Sequence, residues 1–255
     1  MKFTKFAVSL LALVLLASCG AKEKQSSSAE ASEPESSQVQ PSSEAAPTYE
    51  AYTLSQLHEA RVGKTLASLD KKFVSVKGKV TYAKREGSFD IMFIQNGKYA
   101  VEVTYPAPFS ANVGDSVEVK GQLQFQNTGA TDTIFLSAYQ DTYATNSIQV
   151  INEAIETESV NITKEADLIE YDASLATIDF DVTLDGPTTA LFSGKLSDDE
   201  GTFIVASKLG ATEKVEGHPY VEGDKVRYSG IFTYSATESA KIIRYFGKDG
   251  FSKID

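Results

Sequence analysis

The chain of 255 residues has no tryptophan, one cysteine, two histidines and seven prolines. A single cysteine excludes an intramolecular disulfide, a Cys-based zinc site and a Cys-x-x-Cys redox centre. His58 and His218 each lack a second His or Cys at ligand spacing, so no metal site is expected. There is no Walker loop, no Gly-x-Gly-x-x-Gly and no Gly-x-Ser-x-Gly elbow. Nucleotide binding and triad hydrolysis therefore lack their usual signatures. Basic residues are also short, 24 against 35 acids for a net charge of −11. Phosphate neutralisation needs the opposite balance, so no nucleic-acid partner is expected. What the chain does have is apolar residues, at 42%, enough for the cores of one or two domains.

The first 48 residues differ from the rest. Lys2 and Lys5 precede an apolar run over residues 7–17 that only Ser9 interrupts. The run is too short for a permanent membrane helix and fits the core of an export signal. It ends in Leu16-Ala17-Ser18-Cys19, which resembles the lipobox of bacterial lipoproteins. The resemblance implies cleavage before Cys19 and acylation of its sulfur, which consumes the thiol. Two or three acyl chains exceed what stable anchoring requires. Residues 21–48 contain eight Ser, five Glu and three Pro, with Val39 the only branched apolar residue. Such a stretch cannot offset its ordering entropy and is expected to be a disordered tether. It resembles the spacers of Gram-positive lipoproteins. The expected layout is a signal peptide at 1–18, a lipid-bearing linker at 19–48, and folded domains at 49–157 and 158–255.

The folded part carries an internal echo. Val113-Gly114-Asp115-Ser116-Val117-Glu118-Val119-Lys120-Gly121 parallels Glu222-Gly223-Asp224-Lys225-Val226-Arg227-Tyr228-Ser229-Gly230, with Gly, Asp, Val and Gly shared at one constant offset. A repeat of domain length points to two copies of one fold. In the first copy, Thr53-Leu54-Ser55-Gln56 reads as a capping box. Leu54, Leu57, Leu66 and Leu69 suggest short helical turns broken near Gly63. Strands are expected over residues 73–82, 89–95, 99–105, 116–125 and 133–139, with Asn96-Gly97 as a hairpin turn. The second copy offers a short helix at 163–171 and strands at 178–184, 191–196, 202–209, 225–234 and 240–246. Five strands, Gly78 inside the first and a Gly-Asp turn before the fourth resemble the OB-fold, in particular its tRNA-anti-like family. The fold class expected is mainly β, two tandem OB-like five-stranded barrels with short helices.

The OB resemblance implies a ligand face on strands two and three, flanked by loops. Alternation assigns Asp90, Met92, Ile94, Glu102 and Thr104 to that face and Phe89, Ile91, Phe93, Val101 and Val103 to the core. Lys84, Arg85 and residues 127–132 would flank it. A basic strip of Lys77, Lys79, Lys84 and Arg85 falls in a stretch, residues 61–85, with eight basic residues and one acid. Residues 158–255 hold 10 basic and 18 acidic groups, so the strip is expected to dock the second barrel or an anionic wall polymer. Asp198-Asp199-Glu200 reads as a solvated hairpin tip, and Asp179 and Asp181 as the polar side of a strand. The functional expectation is a monomeric, non-catalytic binding or adaptor module without cofactor. It would be held to the outer face of the cell membrane through Cys19, with an envelope protein as a possible partner. A transporter-linked solute receptor and an envelope hydrolase are the alternatives.

Overall fold

The computed structural model describes residues 47–86, 89–105, 111–127, 131–138, 147–185, 191–207, 220–237 and 239–255. Leu16, Ala17, Ser18, Cys19, the tether and His218 lie outside the described residues, as do the side chains of Arg85, Phe89 and Asp90.

The chain is mainly β, built as two sheets of seven strands that each close a five-stranded ring. The first holds β1 (Glu50–Tyr52), β2 (Phe73–Glu86), β3 (Phe89–Asn96), β4 (Tyr99–Tyr105), β5 (Ser116–Asn127), β6 (Asp132–Ser137) and β7 (Ile148–Val150). The second holds β8 (Val160–Ile162), β9 (Leu175–Asp185), β10 (Phe192–Leu196), β11 (Thr202–Ser207), β12 (Lys225–Ala236), β13 (Lys241–Phe246) and β14 (Phe251–Ile254). The rings run β2-β3-β4-β6-β5-β2 and β9-β10-β11-β13-β12-β9, closed by the parallel pairs β4–β6 and β11–β13. Strand order 1-2-3-5-4-1 is that of an OB barrel, so the chain is two tandem OB-like barrels. The expected ten ring strands are present; the four short outer strands β1, β7, β8 and β14 are additions that alternation over three or four residues could not reveal.

Closing each ring requires its first strand to serve two neighbours. Residues 73–79 of β2 pair with β5, and residues 79–86 pair with β3. At the changeover, a Cβ on Gly78 would lie 2.9 Å from the Ile94 Cβ, so the bend needs glycine. The second barrel solves the same problem on the partner strand. Gly194 of β10 faces β9, where a Cβ would come within 3.1 Å of the Asp181 carbonyl oxygen, beside a bulge in that pairing.

The internal echo is a structural equivalence. Gly114 and Gly223 sit at φ of 100° and 90°, a backbone region that favours glycine. Asp115 and Asp224 each accept the amide three residues back, from Asn112 at 2.8 Å and Val221 at 2.9 Å. The Gly114 amide and Asp115 carbonyl clasp Val80 of β2, and those of Gly223 and Asp224 clasp Val182 of β9. Val117 and Val226 then enter the two cores fully buried.

Helix α1 (Leu54–Val62) begins with the capping box, Thr53 Oγ1 accepting from the Gln56 amide at 3.2 Å and Gln56 Oε1 from the Thr53 amide at 2.8 Å. Its Leu54 and Leu57, with Leu66 and Leu69 of the following 3₁₀ turn, fill the first core. Helix α2 (Glu165–Glu170) starts two residues later than expected. The Thr163 and Lys164 amides that precede it are held by Asp167 Oδ2, to which the Thr163 hydroxyl also donates.

Candidate functional site

The register of β3 with β4 pairs Ile91 with Thr104, Met92 with Val103, Phe93 with Glu102 and Ile94 with Val101. Opposed residues in an antiparallel ladder share a face. Met92 and Ile94 therefore belong with Val101 and Val103 in the first core, all fully buried. Their assignment to a ligand face with Glu102 and Thr104 is corrected. The run Ile91-Met92-Phe93-Ile94 is apolar on both faces, so alternation along β3 carries no phase. Glu102 and Thr104 do point outward, and they share that side with Ile91 and Phe93. Among the expected core residues of these strands, Val101 and Val103 are in the barrel and Ile91 and Phe93 are not.

The second barrel covers that outer face. Ile91, Phe93 and Ala100 pack with Ala173, Ile231 and Phe246 in a cluster joined by Tyr82 and Leu175. The Phe93 and Phe246 rings meet edge to face at 4.6 Å, a geometry their quadrupoles favour. Polar groups beside the cluster are partnered across the joint. Gln95, fully buried, accepts the Leu175 amide at 2.9 Å and donates to the carbonyls of Gly97 and Glu158. Ser174 donates to the Lys98 carbonyl at 2.8 Å. Arg61 of α1 donates to the carbonyls of Asp172 and Glu170, with the Asp172 carboxylate 3.9 Å away. Burial lowers the pKa of this guanidinium, and Asp172 opposes that shift. His58 stacks on Tyr99 of one barrel at 4.1 Å and on Tyr171 of the other at 5.8 Å, so it is a joint residue, not a surface one. Burial, with the neighbouring Glu170, raises the Tyr171 hydroxyl to about 12.

Away from this dry joint the two outer faces diverge into a cleft of about 410 Å³. One wall is Glu102 and Thr104 of β4, Gln126 of β5 and Thr133 and Phe135 of β6; the other is Thr233 and Ser235 of β12 and Arg244 of β13, with Asp172 and Ala173 between. Register places Glu102 beside Phe135, Gln126 beside Thr133 and Thr233 beside Arg244. At the far end, Thr131, buried, accepts the Ala236 amide at 3.2 Å. Glu102 and Thr104 are the expected site residues that reach the cleft. Arg244, Phe135, Gln126, Thr133, Thr233 and Ser235 were not singled out, because their meeting depends on how two separately coded barrels pack.

Of the expected basic strip, Lys77 is engaged within the first half of the chain and not on the second barrel. The joint is made by the outer face of β3 and β4 and by α1, and it is mostly apolar. Lys77 instead pairs with Glu153 at 2.7 Å, both half exposed, which raises the lysine pKa through that hydrogen bond. Lys79 and Lys84 are half-buried on β2. Asp179 and Asp181 pair across the ladder with Arg227 and Lys225 at 2.7 and 3.0 Å. Asp199 lies at a turn. Burial disfavours its charge, but amide hydrogen bonds from Gly201 and Glu165 hold its pKa below the usual range.

No protein-family model matches the chain, and no curated protein matches its sequence. Solved structures do. Aspartyl-tRNA synthetase from Entamoeba histolytica is 12% identical over 36% of this chain and 21% of that chain, with a TM-score of 0.28. A putative aspartyl-tRNA synthetase from Leishmania major is 13% identical over 46% and 23%, TM-score 0.30. This chain thus spans about a fifth of the length of those synthetases. A murine DNA-binding protein bound with double-stranded DNA is 12% identical over 71% of this chain and 95% of that one, TM-score 0.34. At such identities the likeness concerns the fold. The expectation that excluded a nucleic-acid partner is corrected by this set, which includes structures holding double-stranded DNA. It rested on net charge, a whole-chain sum that does not describe any one surface.

Proposed function

We propose that this protein is a lipid-anchored, extracytoplasmic binding module without catalytic function, whose paired OB-like barrels present the cleft between them as the binding site. The observation that carries the reading is the covered outer face of β3 and β4. The part of that surface formed by Ile91, Phe93 and Ala100 is sealed by Ile231 and Phe246, so the concave polar surface offered to a ligand is the cleft, which Glu102 and Thr104 line. Anchorage rests on Leu16-Ala17-Ser18-Cys19 following an apolar run, with the Ser- and Glu-rich segment lifting the barrels off the bilayer. The test of anchorage is fractionation of cells carrying Cys19→Ala. The variant is expected to leave the membrane fraction or to accumulate unprocessed; unchanged processing and retention would overturn the anchor.

A further inference from the structure

We propose that the cleft takes a sugar carrying one carboxylate, an inference that rests on reading the cleft as the binding site. Three features of the lining point to this chemistry together. The first is Phe135, an outward-facing, half-buried aromatic ring that belongs to none of the three apolar clusters. Its neighbours Ile134 and Leu136 are core residues, so the ring fills no structural gap. An aromatic face set in a polar cleft is a platform for the C–H face of a pyranose, which is apolar while its edges carry hydroxyls.

The second feature is the density of short hydroxyl and amide groups around that ring. Thr104, Thr133, Thr233, Ser235 and Gln126 line both walls, and each can donate and accept. A sugar ring presents the same dual-character groups around its rim, so both walls can be satisfied at once. Glu102, next to Phe135 in the parallel ladder, adds carboxylate oxygens that accept from ring hydroxyls.

The third feature is Arg244. Of the arginines whose side chains are described, Arg61 and Arg227 face Asp172 and Asp179, whereas Arg244 forms no ion pair with a described residue. Its planar guanidinium matches a carboxylate with two parallel hydrogen bonds. The lining also holds the carboxylates of Glu102 and Asp172, both already engaged, so a ligand carboxylate would meet the one guanidinium of Arg244. The volume of about 410 Å³ lies in the range of small-molecule sites. The site overlaps the OB ligand face only at Glu102 and Thr104 of β4; the rest of its walls come from β5, β6 and β12–β13.

The test is calorimetric titration of D-glucuronate into the detergent-solubilised full chain, with D-glucose, acetate, a neutral disaccharide and free amino acids as the other probes. The expected result is one-to-one binding of glucuronate, weakened about tenfold or more by R244Q and by F135A. Glucose and acetate should each bind at least about tenfold more weakly, because each supplies only part of the recognition. Urea midpoints of the variants are measured alongside, and loss of binding counts only where the midpoint is kept. Because T133V changes one hydroxyl in the same wall with little change in shape, a weaker but measurable affinity in that variant is a second supporting result. Acetate binding as well as glucuronate, or R244Q binding unchanged, overturns the proposal. Binding of an amino acid or neutral disaccharide in place of glucuronate overturns the ligand class while the cleft reading stands. Failure of every probe overturns both, and membrane release by Cys19→Ala remains a separate measurement.

Discussion

Three residues show how much of the stability hangs on single polar or backbone positions. Tyr228 is buried in the second core, yet its hydroxyl meets the carbonyls of Ile231 and Phe246 at 2.5 and 2.8 Å and accepts the Phe246 amide. Tyr228→Phe removes these bonds in a buried site and is expected to lower stability by about 1–3 kcal/mol, read from urea denaturation. Gly114 presents a different case. A Cβ there would touch nothing within 4 Å, so Gly114→Ala should cost about 1–3 kcal/mol through its positive φ alone. The Asp179–Arg227 pair sets a pH dependence. The Arg227 hydrogen bond holds the Asp179 pKa below its ordinary value, so its stabilisation is present above that ordinary value and is lost as pH falls through the lower folded one. Both groups are solvated, which keeps the effect small. The urea midpoint difference between the native chain and R227Q is expected to shrink from about pH 6 to about pH 3.

At the scale of elements, what could be read from sequence depended on whether a strand has a wet face. The strand β5 alternates cleanly and β4 does so from Val101 onward, and Val101, Val103, Val117 and Val119 are buried as the pattern requires. The strand β3 is apolar on both sides because one side meets the first core and the other meets the second barrel. No local signal separates those faces, and the phase of the β3 half of the ligand surface was lost with it. The same logic applies to Gln95, a polar residue ending an apolar strand. Its amide group bonds Gly97 beside it and Glu158 and Leu175 of the second half of the chain. Gln95→Leu keeps the volume but strips these partners, so it should destabilise by about 1–3 kcal/mol per group left unpaired. Gly121 was expected as a repeat landmark, and the structure supplies its cause: a Cβ would lie 2.7 Å from the Ser137 carbonyl oxygen, where β5 and β6 cross closely.

For the molecule as a whole, the decisive element is the joint. An apolar cluster with an aromatic pair at its centre and buried hydrogen bonds around it couples the barrels into one cooperative unit. The native chain is therefore expected to show a single calorimetric transition with matching calorimetric and van't Hoff enthalpies. Phe93→Ala removes the ring that meets Phe246 and should cost about 3–5 kcal/mol. Its trace should split into two transitions, because the lost contacts are between barrels and not within either core. A trace that stays single while shifting downward would mean that the joint is tied mainly by Arg61, Gln95 and Ser174. Such coupling also fixes the cleft, whose walls keep their spacing only while the joint holds.

The sequence by itself determined the fold class, the repeat and most of the strands, since turn glycines, capping residues and period-two patterning act through neighbours a few positions away. Glu102 and Thr104 were legible as outward residues for the same reason. Only the tertiary structure decided which face of β3 is core, where His58 and Gln95 lie, and that Phe135 and Arg244 share a cleft. Those facts depend on the packing of two barrels against each other, and burial against a distant surface leaves no local pattern in the chain.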